Sequence, residues 1–421
     1  MAAFRPIYMF LNRGVIQTPV RKISTTINNA SVMTIMEARA SLMEMVGLKP
    51  ELTESDQAYM DSMFQDIPKK QDGLPVRSIK DSYREVVIPL GSDPALQSKY
   101  TNFYKGIRFG RIMEDLDTFA GLICYTHNRR GKNERSPLST VTALVDRIEL
   151  GNFTVSAFTD IKLTGNVTWV GTSSMEVTMD VHQVIQDELQ KVMKATFLMV
   201  ARNPVTGGSA AVNPLKADGP EEEALVKKGA SNKLARQLEA KKSLLKTPPS
   251  QDEGDLIHGL FLQTIDVKTS TLKVRVKPEN TEWMENTILK NLSICHPEQR
   301  NLYNKIFGGY LMRKAFELGW ANAALYSKTR PITKVIDDIA FRKTVEIGTV
   351  LFLSSQVVYT KGSQMQVKVH AEVVDPTVGK HETSNDFHFT FDSQLDDLTQ
   401  VMPKTYAESM MYLDGKRHFE S

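Results

Sequence analysis

Two stretches of this chain open a helix in the same way. Residues 108–121 read RFGRIMEDLDTFAG, and residues 306–319 read IFGGYLMRKAFELG. The segments that follow them repeat as well. LVDRIEL at 144–150 parallels VIDDIAF at 335–341, and NVTWVGTSSMEVTMDV at 166–181 parallels QVVYTKGSQMQVKVHA at 356–371. The offset is 190 or 191 in the strand-like runs and 199 in the helices, and a longer loop after the first helix absorbs the difference. Two copies make a tandem duplication, since a solenoid needs at least about three. Whatever this chain folds into must work as a pair of like units.

Each unit reads as an opening strand, one long helix and then four or more antiparallel strands rich in valine, threonine and aromatics. Both helices are apolar on more than one face: Ile112, Met113, Leu116 and Phe119 in the first, Leu311, Met312, Phe316 and Leu318 in the second. A lone helix covers that much apolar sheet only if the sheet wraps around it. The expected class is therefore α+β, with two copies of an antiparallel sheet curled about a central helix.

The remaining segments set the boundaries. Residues 1–30 contain Arg5, Arg13, Arg21 and Lys22 but no acid, which fits a mitochondrial transit peptide. Residues 31–80 form a helical extension with two short helices, near 34–47 and 53–65. The first unit spans 81–205 and the second 269–400. Between them, residues 206–268 are turn-rich and then charged, and read as a linker carrying one solvated helix. Residues 401–421 are left as a C-terminal tail. With a net charge of +3 and no basic block interleaved with aromatics, the chain does not look like a nucleic-acid binder. No apolar run reaches the ~20 residues of a membrane span. Cys124 and Cys295 stand in apolar stretches and read as buried structural thiols. No metal-ligand spacing and no G-x-S-x-G elbow are present.

Taken together, HPEQRNLYNKIFGGYLM (296–312), RSIKDSYREVVIPLG (77–91) and IRFGRIMEDLDTFAGLICYTH (107–127) resemble the mitochondrial acyl-CoA thioesterase 9 group of double hotdog thioesterases. The resemblance covers about 75–205 and 270–400. It implies a tandem hotdog that hydrolyses acyl-CoA to free fatty acid and coenzyme A in the mitochondrial matrix. It also implies no cofactor and assembly as a trimer of double hotdogs.

Within that frame, thioester hydrolysis needs a carbonyl polariser and a water activator. Gly110 and Gly309 stand where backbone amides emerge at the positive end of a helix dipole, which suits a developing oxyanion. Asp117, seven residues past Gly110, lies beside an apolar stripe, which raises its proton affinity and fits a general base or nucleophile. Phe316 holds the matching place after Gly309. Asn301, eight residues before Gly309, is implied by the resemblance to pair with Asp117 across the two units. Asn102 stands at the same spacing before Gly110, facing the unarmed copy, and Glu317 is one residue out of register. One complete site per chain is the expectation. His296 is placed either to orient a ligand or to end a strand. Arg342 and Lys343 are either coenzyme A phosphate contacts or solvated surface. Two other readings stay open: a hotdog hydratase or dehydratase, which needs a histidine–acid pair, and a noncatalytic acyl-CoA binder.

Overall fold

The computed structural model describes residues 32–46, 67–130, 136–146, 148–150, 155–266, 275–299 and 305–420. The expected transit segment, the helix expected at 53–65, and Asn301 lie outside the described residues. Of the two helices expected in the extension, α1 (Ile35–Val46) is present, preceded by the short strand β1 (Met33–Thr34).

The first unit runs β2 (Arg84–Ile88), α2 (Pro94–Tyr100), α3 (Phe109–His127), β3 (Ser139–Val145), β4 (Ile148–Leu150), β5 (Ile161–Val170), β6 (Ser174–Ile185) and β7 (Glu188–Arg202). Two helices follow, α4 (Pro220–Lys242) and α5 (Gln251–Gln263). The second unit is β8 (Leu289–Ile294), α6 (Gly308–Ser327), β9 (Ile332–Phe341), β10 (Val350–Lys361), β11 (Gln364–Asp375) and β12 (Lys380–Asp392), closed by α7 (Tyr406–Glu420).

These strands form one continuous sheet in the order β1-β2-β5-β6-β7-β3-β9-β12-β11-β10-β8, with β4 bridging β7 and β9, and two short parallel pairs, Arg77–Ser78 with Leu215–Lys216 and Thr281–Trp283 with Gln400–Met402, lie outside it. Apart from β1, the second half of this order mirrors the first, as two like units joined edge to edge require. The joint is antiparallel, with Val145 opposite Ile339 and Leu144 opposite Ala340. The duplication extends to irregularities. Register shifts fall between Thr142 and Leu144 in β3 and between Thr333 and Val335 in β9. Another pair falls between Val167 and Trp169 in β5 and between Val357 and Tyr359 in β10.

Burial explains why each sheet face is occupied. Along β6, Met175, Val177, Met179 and Val181 are buried, and their counterparts in β11 are Met365, Val367, Val369 and Ala371. Each row packs into a core with its central helix, where Ile112, Met113, Leu116 and Phe119 of α3 are fully buried. Such cores supply most of the driving force, at roughly 25 cal/mol per Å² of apolar surface removed from water. Helix α1 covers α3 from the other side. Its Arg39 pairs with fully buried Asp115, which also accepts a hydrogen bond from Tyr100. Both cysteines are buried. Among the described residues, no helix is long and apolar enough to cross a membrane.

Two segments differ from the expectation. The stretch 206–268 holds two helices rather than one, and α4 is docked although it is charged and mostly exposed. Its Gly229 lies flat on the outer face of the β5 bulge, where an added Cβ would stand 2.3 Å from Trp169 Cβ. Arg236 of α4 also bridges Asp146 and Glu176 at 2.8 and 3.0 Å. The C-terminal tail is the second copy of this device. Gly415 of α7 lies on the β10 bulge, where a Cβ would stand 2.6 Å from Val358 Cγ2. The sequence hid both because the docking residue is a glycine, which adds nothing to an apolar stripe.

Candidate active site

Helices α3 and α6 each present an N-terminal glycine to the second turn of the other. A Cβ on Gly110 would stand 2.9 Å from Arg313 Cγ, and a Cβ on Gly309 would stand 2.9 Å from both Glu114 Cα and Asp117 Cβ. No larger residue allows this approach without moving a helix. Glu114 and Arg313 are repeat equivalents, and they pair with each other at 3.3 Å across the crossing, with Arg111 adding a second contact to Glu114 at 3.0 Å.

This crossing puts Asp117 at the start of α6. Gly309 N donates to Asp117 Oδ2 at 2.6 Å, and Thr142 Oγ1 donates to Oδ1 at 2.5 Å. The N-cap residue of α6, Phe307, supplies no side-chain cap. A carboxylate from the neighbouring helix therefore takes that place, at the end where the dipole favours negative charge. Asp117 is only 7% exposed. Burial raises its pKa above the ordinary carboxylate value. The hydrogen bonds from Thr142 and Gly309 pull the other way, and the Glu114 charge adds to the rise. The result is a desolvated carboxylate with each oxygen fixed by one donor, whose proton affinity is raised.

The mirrored position is disarmed twice. Phe316 replaces the carboxylate, and Phe109 replaces the glycine that corresponds to Gly308. The two rings meet at 5.4 Å between centroids, and Phe389 and Phe391 close on Phe316 at 5.6 and 6.0 Å. Thr333, the repeat equivalent of Thr142, is still present. Glu317 points away to the surface, paired with Arg108 at 2.8 Å.

The other expected residues are placed as follows. The Gly309 amide is engaged by Asp117, so it holds the carboxylate; Gly110 sits against Arg313. Asn102 is used by its own loop: Oδ1 accepts from the amides of Tyr104 and Gly106, both at 2.9 Å, and Nδ2 donates to Ile107 O at 3.2 Å. That arrangement orders the turn before α3. His296 is exposed. Arg342 is exposed and pairs with Asp386 at 3.1 Å, and Lys343 pairs with Glu382. The preceding residue, Phe341, lies against the site, since a Cβ on Gly308 would touch its ring at 3.3 Å and Asp117 Oδ1 at 3.5 Å.

Thr142 is the residue that sequence reasoning missed. It lies 25 residues from Asp117, beyond the loop that makes the two copies differ in length. Its one signal was the alignment of VTALVD with ITKVID, which places threonine at both 142 and 333.

No family profile matches the chain. Individual relatives do. The chain is 47% identical over 411 residues to mitochondrial acyl-coenzyme A thioesterase 9 of Homo sapiens, covering 97% of this chain and 92% of that protein. It is 46% identical over 412 residues to mitochondrial acyl-coenzyme A thioesterase 10 of Mus musculus, with the same two coverages. Mitochondrial acyl-coenzyme A thioesterase 4 of Humulus lupulus is 32% identical over 364 residues, covering 82% of this chain and 68% of the plant protein.

Proposed function

Because the chain belongs to the mitochondrial acyl-coenzyme A thioesterase 9 family, we propose that its buried Asp117 is the general base of thioester hydrolysis. The protein is an acyl-CoA hydrolase and, like its named relatives, mitochondrial. In the reaction, Asp117 takes a proton from water as the water oxygen bonds to the thioester carbonyl carbon. The carbonyl electrons move to oxygen and return as the C–S bond breaks. The proton then passes from Asp117 to the departing coenzyme A sulfur, giving a free fatty acid and a thiol. The N-terminal dipole of α6 and the side-chain amide of Asn301 polarise the carbonyl.

The observation that carries this reading is the carboxylate held by Thr142 and Gly309 at the mouth of α6, in a desolvated setting. The same observation favours hydrolysis over hydration of an enoyl thioester, because Asp117 is fixed by a hydroxyl and an amide rather than paired with a histidine. In this reading the exposed Arg342 and Lys343, next in sequence to Phe341, bind the phosphates of coenzyme A. The finer architecture is a double hotdog, supported by the mirrored strand order around α3 and α6. Three such chains form the assembly, and the mature protein works in the matrix.

Single-turnover hydrolysis in ¹⁸O-labelled water tests the chemistry. With Asp117 as base, the label enters the fatty acid directly. Label recovered in the Asp117 carboxylate would instead make that residue the nucleophile and overturn the assignment. Loss of enoyl absorbance without thiol release would favour the hydratase reading.

A further inference from the structure

Helices α3 and α6 cross where repeat-equivalent positions meet, and there the two units carry opposite charges. Position 114 is glutamate and its counterpart, 313, is arginine. Two units that had kept one charged residue at this position would bring like charges together. Instead, Arg313 Nη1 lies 3.3 Å from Glu114 Oε2, and Arg111 Nη1 reaches the same oxygen at 3.0 Å. The pair sits beside both glycines of the crossing. A Cβ on Gly110 would stand 3.4 Å from Arg313 Cα, and one on Gly309 would stand 3.1 Å from Glu114 O. The Glu114 and Arg313 side chains are 19% and 13% exposed, so water and salt screen the pair only in part.

Glu114 and Asp117 are three residues apart and so share a face of α3. A like charge in that place disfavours ionisation of its neighbour. Among the described residues, the charged and titratable groups that face Glu114 come from three helices. On α3 they are Arg111 and Asp115. Helix α1 sends Arg39, which is already paired with Asp115, and Tyr100 of α2 donates to that same buried acid. Helix α6 sends Arg313 and Tyr310, whose phenol is held neutral by burial. Strand β3 offers only the Thr142 hydroxyl, which is bonded to Asp117. The cations that touch Glu114 are therefore Arg111 and Arg313. Arg313 also lies over the Tyr310 ring at 5.4 Å, and its Nε is buried without a hydrogen-bond partner. An unmet buried donor is a cost that the contact with Glu114 has to outweigh.

We propose that Arg313 of the disarmed unit is a positioning residue for hydrolysis at Asp117: it engages the Glu114 carboxylate at the crossing and keeps that negative charge from opposing ionisation of the base. The inference rests on the reading of Asp117 as general base. A base must be ionised to take a proton from water. With Glu114 less well neutralised, Asp117 would keep its proton to higher pH, and turnover would fail first on the acid side. The second unit then has a part in the chemistry although Phe316 stands in place of its acid, and the charge reversal between positions 114 and 313 has a reason.

Two titrations of the full chain test this. One follows by infrared difference the carboxyl band that Asp117→Asn removes, which reads Asp117 whether or not it is the base. The other is the pH profile of thiol release in single turnovers. Arg313→Gln should move the band and the acid limb to higher pH, and Glu114→Gln should move both to lower pH. Arg313→Lys, which keeps the charge, should bring both back towards wild type. In a Glu114→Gln background, Arg313→Gln should add no shift, because the arginine acts through the glutamate. Glu317→Gln, whose partner is Arg108 at the surface, should move neither. A pair kept for stability alone would not give opposite shifts from its two members. Glu114→Gln is close to isosteric and reports by itself if Arg313→Gln does not fold. A band that stays in place in both single variants overturns the inference, and so does one that moves the same way in both. An Arg313→Gln shift as large without Glu114 as with it overturns it too. If the band moves as expected while the acid limb stays in place, the pairing is upheld and the general-base role of Asp117 falls.

Discussion

Replacing Asp117 by asparagine separates the two things this side chain does. It caps α6 from outside, and it offers a base to water. Asparagine is nearly isosteric and caps helices about as well as aspartate. Its Oδ1 would accept from the Gly309 amide, and its Nδ2 would donate to the Thr142 hydroxyl, so both hydrogen bonds survive. The stabilising interaction of the negative charge with the α6 dipole is lost, at about 0.3–1 kcal/mol. Against that, the variant no longer buries a charge. The sign follows from the raised carboxyl pKa. A group whose folded pKa is raised contributes stability that is complete below its unfolded pKa, and that contribution is lost as pH rises through the folded value. At neutral pH the wild type therefore carries a desolvation cost that Asp117→Asn removes, and acidification should favour the wild type relative to the variant. Turnover responds differently, because an amide accepts no proton. The loss should be about 10²–10⁴-fold, or ~2.7–5.5 kcal/mol at 1.36 kcal/mol per decade. Thiol release under single-turnover conditions and parallel melts at neutral and acid pH read both quantities. Near-normal turnover in the variant would refute the general-base role and leave Asp117 as a helix cap. A loss of fold at neutral pH would refute the argument about desolvation.

Thr142→Val should raise the Asp117 pKa further, because the hydroxyl bond now holds it down, so the acid limb of the rate profile should move to higher pH; Thr142→Ser should restore it. Asn102→Ala should leave kcat nearly intact and loosen only its own loop, whereas Asn301→Ala should cost on the order of 10²-fold in single turnovers; equal losses would mean that both clefts are competent. Phe316→Ala should lower stability by about 3–5 kcal/mol in denaturant titrations without lowering turnover at Asp117, because it empties an aromatic cluster in the disarmed cleft. Gly229→Ala should destabilise by about 1–3 kcal/mol, more than the ~1 kcal/mol its helix propensity returns, since the new methyl meets Trp169.

The duplication was legible in the sequence because both copies kept their apolar periods, and so was the isolation of Asp117 against Phe316. The partners of Asp117 were harder to read. Thr142 reaches it from a strand beyond a loop that differs between the copies, and sequence spacing does not carry distance across such a loop. Phe109 gave no sign of being a plug until its ring was seen against Phe316, because an aromatic at a helix mouth reads as ordinary core. Asn102 and Asn301 share one spacing, yet spacing does not say whether an amide turns outward to a ligand or inward to its own loop. Residues 206–268 read as linker because charge dominates them, while what docks α4 is a glycine and an arginine between two acids.

The joint between β3, β4 and β9 has a mechanical consequence. Backbone hydrogen bonds run across it, so the halves cannot swing apart as two jaws without breaking sheet. The frame holding Asp117 against α6 is thereby kept rigid. The same joint makes separating the halves costly. A chain cut between the units would leave β3 and β9 as bare edges, each a template for any strand it meets. Such fragments would have to find each other before either remained soluble, and so covalent linkage protects the sheet as much as it pairs the helices.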